Sequence, residues 1–145
     1  MFEIDDEIHK ATTLSTEFYT DEKYFYQSKE KIFAKNWHFV GTTDEVNNLK
    51  PITLLETPLL LSKSDENIKC FSNVCTHRGA ILVEKDCHAN GIRCRYHGRR
   101  FDLRGKFLSM PEFENVENFP AEKDNLIEIP TAVWGKLIFT SLNPY

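Results

Sequence analysis

A doubled cysteine-histidine motif constrains this chain more than any other feature. Cys75-Thr76-His77-Arg78-Gly79 and Cys94-Arg95-Tyr96-His97-Gly98 each bring one sulfur and one imidazole, and 16 residues lie between His77 and Cys94. Each fragment ends in glycine, which adopts backbone conformations closed to residues with side chains. The spacing predicts two tight loops able to face one another, with Cys75, His77, Cys94 and His97 as candidate metal ligands. Two thiolates and two imidazoles split in this way suit a [2Fe-2S] cluster in which both cysteines bind one iron and both histidines the other. Zinc also takes two cysteines and two histidines, but its finger pattern keeps the cysteines in one pair and the histidines in the other. A third reading gives the four residues ordinary packing roles and no metal.

With 145 residues and 41% hydrophobic composition, the chain is the size of one domain and can build a real core. A net charge of -4 and a pI near 5.7 exclude the general basic footprint of a nucleic-acid or anionic-lipid binder. No apolar run approaches the roughly 20 residues that cross a bilayer. The opening Met1-Phe2-Glu3-Ile4-Asp5-Asp6-Glu7 is acidic where a secretory signal is basic and then apolar. The expectation is a cytoplasmic protein with neither nucleic acid nor membrane as partner. In that reducing compartment Cys70, Cys75, Cys87 and Cys94 read as thiols or ligands rather than disulfides. Cys70 alternates with Phe71 and reads as a packed thiol, and Cys87 and His88 read as loop residues. His9 and His38 have no partnered motif and read as surface or packing residues.

Hydrophobic period and turn residues supply the organisation. Residues 1 to 36 read as an N-terminal arm followed by one helix over about 20 to 36, capped at Thr20, with Phe25, Lys29, Ile32, Phe33 and Asn36 stepping by threes and fours. Residues 37 to 145 read as short antiparallel strands. The candidates are 37–41, 52–56, 59–63, 68–73, 81–83, 92–94, 100–103, 106–108, 126–129 and 136–141. Ser64-Asp65-Glu66-Asn67 and Arg104-Gly105 are the expected turns. The acidic stretch from Glu112 through Glu117 and Glu122 to Asp124 reads as a solvated face with no assigned role.

At the level of motifs the chain resembles the N-terminal Rieske domain of the α subunit of Rieske non-haem iron oxygenases, the aromatic-ring-hydroxylating family. Phe33-Ala34-Lys35-Asn36-Trp37-His38-Phe39-Val40-Gly41 resembles the entry segment of that domain. Asn73-Val74-Cys75-Thr76-His77-Arg78-Gly79-Ala80 and Cys94-Arg95-Tyr96-His97-Gly98 resemble its two cluster loops, and Trp134-Gly135 with Leu137-Ile138-Phe139 resembles its closing strand. Arg99 stands where a tryptophan is frequent. Ala80, Tyr96 and Arg99 stand where high-potential respiratory Rieske proteins carry two further cysteines and a serine, which implies a potential in the lower part of the Rieske range.

The resemblance implies a mostly β Rieske fold, an antiparallel β-sandwich or pair of small barrels with two cluster-binding loops, plus the N-terminal helix. It implies a Rieske [2Fe-2S] cluster on Cys75, His77, Cys94 and His97, filled by a reductase or ferredoxin. It further implies that the electron passes to a mononuclear Fe(II) in a catalytic domain, that of a neighbouring subunit in a trimer. Such an iron needs two histidines and a carboxylate with open positions. His9, His38 and His88 form no such pattern, so this chain alone is not expected to hydroxylate a substrate. The alternative is a stand-alone Rieske-type ferredoxin.

Overall fold

The computed structural model describes residues 4–65, 67–113 and 115–143. Its helical part comes first: α1 (Thr16–Thr20), α2 (Glu22–Lys31) and a 3₁₀ turn at Phe33–Lys35. The expected helix over 20–36 is therefore centred on α2, with a break before it and a tighter turn after it. Asp21 rather than Thr20 caps α2, because its side chain accepts the Lys23 N–H at 2.8 Å while its own backbone is extended. The Thr20 hydroxyl instead donates to the carbonyl of Thr16.

Among the described residues ten strands follow: β1 (His38–Thr42), β2 (Leu49–Leu54), β3 (Thr57–Ser64), β4 (Asn67–Ser72), β5 (Ile92–Arg93), β6 (Arg100–Phe101), β7 (Phe107–Ser109), β8 (Glu128–Ile129), β9 (Thr131–Trp134) and β10 (Leu137–Thr140). They form three antiparallel sheets, ordered β1-β10-β9, β2-β3-β4-β8 and β5-β6-β7. The expected antiparallel β class is what the chain adopts. Ser64 pairs with Asn67, closing the β3–β4 hairpin where the turn was expected; Glu66 lies outside the described residues, as do residues 1–3, 114 and 144–145.

Three strand expectations need correction. Residues 81–83 form no strand, and a single bridge joins Val74 to Ile81. The buried side chain of Asn73 takes the place of a neighbouring strand: its amide donates to the carbonyl of Val83 at 2.7 Å and its oxygen accepts the Val83 N–H at 3.0 Å. Strand 126–129 shortens to β8, because the Leu126 N–H is drawn to the carbonyl of Gly105 and Asn125 accepts the N–H of Phe107. β9 was absent from the expected strands; it is largely exposed and lacks a clear inward face in the sequence, and it forms by pairing with β10.

Leu59-Leu60-Leu61 is fully buried, because β3 has a core on each face. Leu59 and Leu61 join Val46, Cys70 and Ile138 on one side. Leu60 joins Phe71, Cys75, Leu82, Ile92, Cys94 and Phe101 on the other. The strand period thus sends Cys70 and Phe71 into different cores, as their alternation predicts. The second core reaches the doubled motif, and the loops stand on it: residues 75–79 follow β4, and 94–98 join β5 to β6. Among the described residues, no helix is long and apolar enough to cross a membrane.

Burial pushes the Cys70 thiol from 9.0 up to about 11, against hydrogen bonds with Thr140 and the backbone of Leu60. A raised thiol favours the neutral form in the fold, so this contribution to stability is complete below about 9 and is lost as pH climbs toward 11. Alkylation with iodoacetamide at pH 8 is expected to modify the exposed Cys87 and spare Cys70 until the chain is unfolded. Equal labelling of the two in the native protein would contradict this packing.

Candidate metal centre

The two loops share one backbone plan. In the first, the Cys75 N–H bonds the carbonyl of Ala80 at 2.8 Å and the Gly79 N–H returns to the carbonyl of Cys75 at 3.0 Å. In the second, the Cys94 N–H bonds the carbonyl of Arg99 at 2.8 Å and the Gly98 N–H returns to the carbonyl of Cys94 at 3.1 Å. Gly79 and Gly98 have φ of 72° and 74°, a left-handed turn that a side chain would strain, which is why glycine stands four residues after each cysteine. The histidines occupy different steps of this common turn, two residues after Cys75 and three after Cys94.

The structure pairs the four expected residues by chemistry, cysteine with cysteine and histidine with histidine. Cys75 and Cys94 are 3% and 2% exposed, and each thiol lies within electrostatic reach of the other. The rings of His77 and His97 lie 4.8 Å apart between centroids, inclined by 71°, and both are half-buried. His97 Nδ1 is buried and has no hydrogen-bond partner, the state of a nitrogen whose lone pair is reserved for a metal. Among the described residues no three His, Cys, Asp or Glu side chains surround one ion; the donors come as a sulfur pair and an imidazole pair. That is the donor set of a two-iron cluster with split ligation.

Burial is the largest influence on both first-loop donors. It pushes the Cys75 thiol up; the neighbouring Cys94 thiol adds to this, while the His77 N–H and the charge of Arg99 oppose it. It pushes His77 down, helped by His97, Arg78 and Arg99, which favours the neutral imidazole. The Tyr96 ring lies 3.8 Å from that of His97, tilted by 32°, and covers one imidazole face although Tyr96 itself is 61% exposed. Phe113 approaches His77 edge-on at 5.9 Å. Arg78 follows His77 and Arg95 lies two residues before His97, and both are exposed. His9 is exposed beside Glu7, His38 bonds the carbonyl of Phe33, and His88 is exposed; none reaches the centre.

Behind the loops lies a network that the sequence reading missed. Arg99 is 2% exposed, and its guanidinium donates to Asp124 Oδ1 at 2.5 Å and to Thr76 Oγ1 at 3.0 Å. Thr76 Oγ1 in turn donates to the carbonyl of Asp124 at 2.9 Å. The guanidinium also lies over the rings of Phe107 and Phe119, at 5.0 and 5.6 Å. Burial pushes the Asp124 carboxyl up, but the Ala121 N–H and the hydrogen bond and charge of Arg99 outweigh it and hold it below its ordinary value. Asp124 is therefore a buried counter-ion and not part of a solvated acidic face. The available signal was the alternation Arg99-Arg100-Phe101: an inward Phe101 places Arg99 inward too, where a cation needs a carboxylate.

The model of the Rieske [2Fe-2S] domain family matches residues 36–120. The chain belongs to this family. As a Rieske domain it carries a [2Fe-2S] cluster and transfers electrons, which removes the zinc and metal-free readings. It is 32% identical over 140 residues to the carnitine monooxygenase oxygenase subunit of Escherichia coli (strain K12), covering 93% of this chain and 37% of that one. It is 27% identical over 136 residues to the chloroplastic choline monooxygenase of Arabidopsis thaliana, covering 90% and 32%. Among solved structures, a quaternary ammonium Rieske monooxygenase described for carnitine oxidation and inter-subunit electron transfer superposes with a TM-score of 0.82 at 28% identity, covering 88% of this chain and 36% of that one. Naphthalene 1,2-dioxygenase superposes with a TM-score of 0.76 at 27% identity, covering 87% and 30%. The Rieske chain thus spans about a third of the length of these relatives.

Proposed function

We propose that this Rieske domain is the electron inlet of an oxygenase, with Cys75 and Cys94 holding one iron and His77 and His97 the other. The observation that carries the assignment is the sorting of donors into a buried sulfur pair and a half-buried imidazole pair with an unpartnered His97 Nδ1. When bound, the cluster supplies one-electron chemistry at a potential raised by its neutral imidazole ligands. The protein's part is to keep water from the sulfurs, through the core around Cys75 and Cys94, and to present the imidazole side to a partner. Tyr96 screens one face of His97, and Arg78 and Arg95 form a basic rim that receives an acidic donor, a reductase or ferredoxin.

The acceptor in this reading is a mononuclear Fe(II) held by a catalytic oxygenase domain. The relatives carry the argument: this chain aligns with one part of oxygenase subunits more than twice its length, and one of them is described for inter-subunit electron transfer. We assign that acceptor to a neighbouring subunit of a trimer in the cytoplasm.

Two measurements test the reading. Dithionite-reduced protein is expected to give a paramagnetic resonance signal; a silent sample would exclude the cluster. Reduction of the chain by an acidic ferredoxin, followed by stopped flow, is expected to slow with added salt. It should fall roughly tenfold on reversing both rim charges with Arg78→Glu and Arg95→Glu. A rate indifferent to salt and to both substitutions would place the donor elsewhere.

A further inference from the structure

Arg99 binds both loops at once. Its backbone carbonyl accepts the N–H of Cys94 in the second loop, and its guanidinium reaches Thr76, which lies between Cys75 and His77 in the first. Asp124 completes the clasp, bonded to the guanidinium through Oδ1 and to the Thr76 hydroxyl through its own carbonyl. Cys70, Cys75, Cys87 and Cys94 are all free thiols, so no disulfide between them joins the loops. A polar network within the core is an unusual choice for mere packing, since a hydrophobic group of similar volume would fill the space without desolvating two charges.

We propose that Arg99 is a positioning residue of the metal centre, clasping the two ligand loops through Thr76 and Asp124 and raising the midpoint potential of the cluster through its fixed positive charge. The inference rests on the ligand assignment above. The reduced cluster carries one more negative charge than the oxidised one, so a buried cation nearby favours reduction and a buried anion opposes it. Lysine would keep the charge but not the planar fork that serves Thr76 and Asp124 together.

The test uses the cluster-loaded chain and two readouts, the midpoint potential by dye titration and the rate of iron loss to a chelator. Arg99→Met is expected to move the midpoint negative and to release iron roughly tenfold faster or more. Arg99→Lys should keep the midpoint closer to that of the parent while still releasing iron faster. Asp124→Asn, which keeps the side-chain shape and unmasks the guanidinium, should move the midpoint positive, and it carries the test if Arg99→Met fails to assemble. A parental midpoint in both Arg99→Met and Asp124→Asn, or parental iron loss in Arg99→Met, would overturn the proposal. Cys94→Ser separates the two levels: a retained cluster spectrum there defeats the ligand assignment, whereas its loss beside unchanged Arg99 variants defeats only the role of Arg99.

Discussion

Replacing Cys94 with serine is expected to yield a colourless protein whose thermal midpoint falls by roughly 10 °C or more. The reason is both chemical and structural. A serine hydroxyl stays protonated at neutral pH where a cysteine in a cluster is a thiolate, so in the proposed ligation one iron loses half of its protein ligands. Cys94 is also 2% exposed and belongs to the same core as Phe71, Ile92 and Phe101, so the substitution leaves a hydroxyl in an apolar site. In the proposed ligation the loops hold each other through the metal they share, and the free energy of holding it is part of the folding free energy. Absorption spectra and thermal melts of parent and variant check the expectation. A variant that keeps the visible bands of the parent would refute the ligand role of Cys94.

Asn73→Leu is expected to cost about 2–5 kcal/mol, the penalty for leaving a buried N–H and a buried C=O of Val83 unpaired, while leaving the cluster spectrum in place. Leucine matches asparagine closely in size and shape, so little of the loss comes from a cavity. Asn73 lies two residues before Cys75, and its own carbonyl accepts the Leu82 N–H at 3.1 Å, so it ties both ends of the first loop to the main sheet. The expected phenotype is a less stable protein with a correctly formed centre, whereas Cys94→Ser loses both stability and the centre. Urea unfolding monitored by fluorescence supplies the number. An unchanged midpoint would mean that water replaces the lost partners at Val83.

The candidate donors and the turns were legible in the chain because they are local. A cysteine, a histidine and a glycine within five residues define a loop whatever surrounds it, and the matching left-handed glycines at 79 and 98 follow from that same short span. The period-two pattern likewise separates Cys70 from Phe71 and places β2, β3 and β4 to within a few residues. Tertiary structure decided what depends on partners distant in sequence. Asp124 lies 25 residues from Arg99, and its meaning changed from solvated acid to buried counter-ion only once the chain closed around it. The missing strand at 81–83 has a similar origin, for the side chain of Asn73 satisfies a backbone that a strand would otherwise have paired, and no hydrophobic pattern records that exchange. Even the pairing of His77 with His97 is non-local: the sequence names the imidazoles, and the meeting of two loops on one core sets the 4.8 Å between them. Local conformational preference and side-chain chemistry act within a few bonds, whereas burial and charge compensation exist only after distant segments have excluded water together.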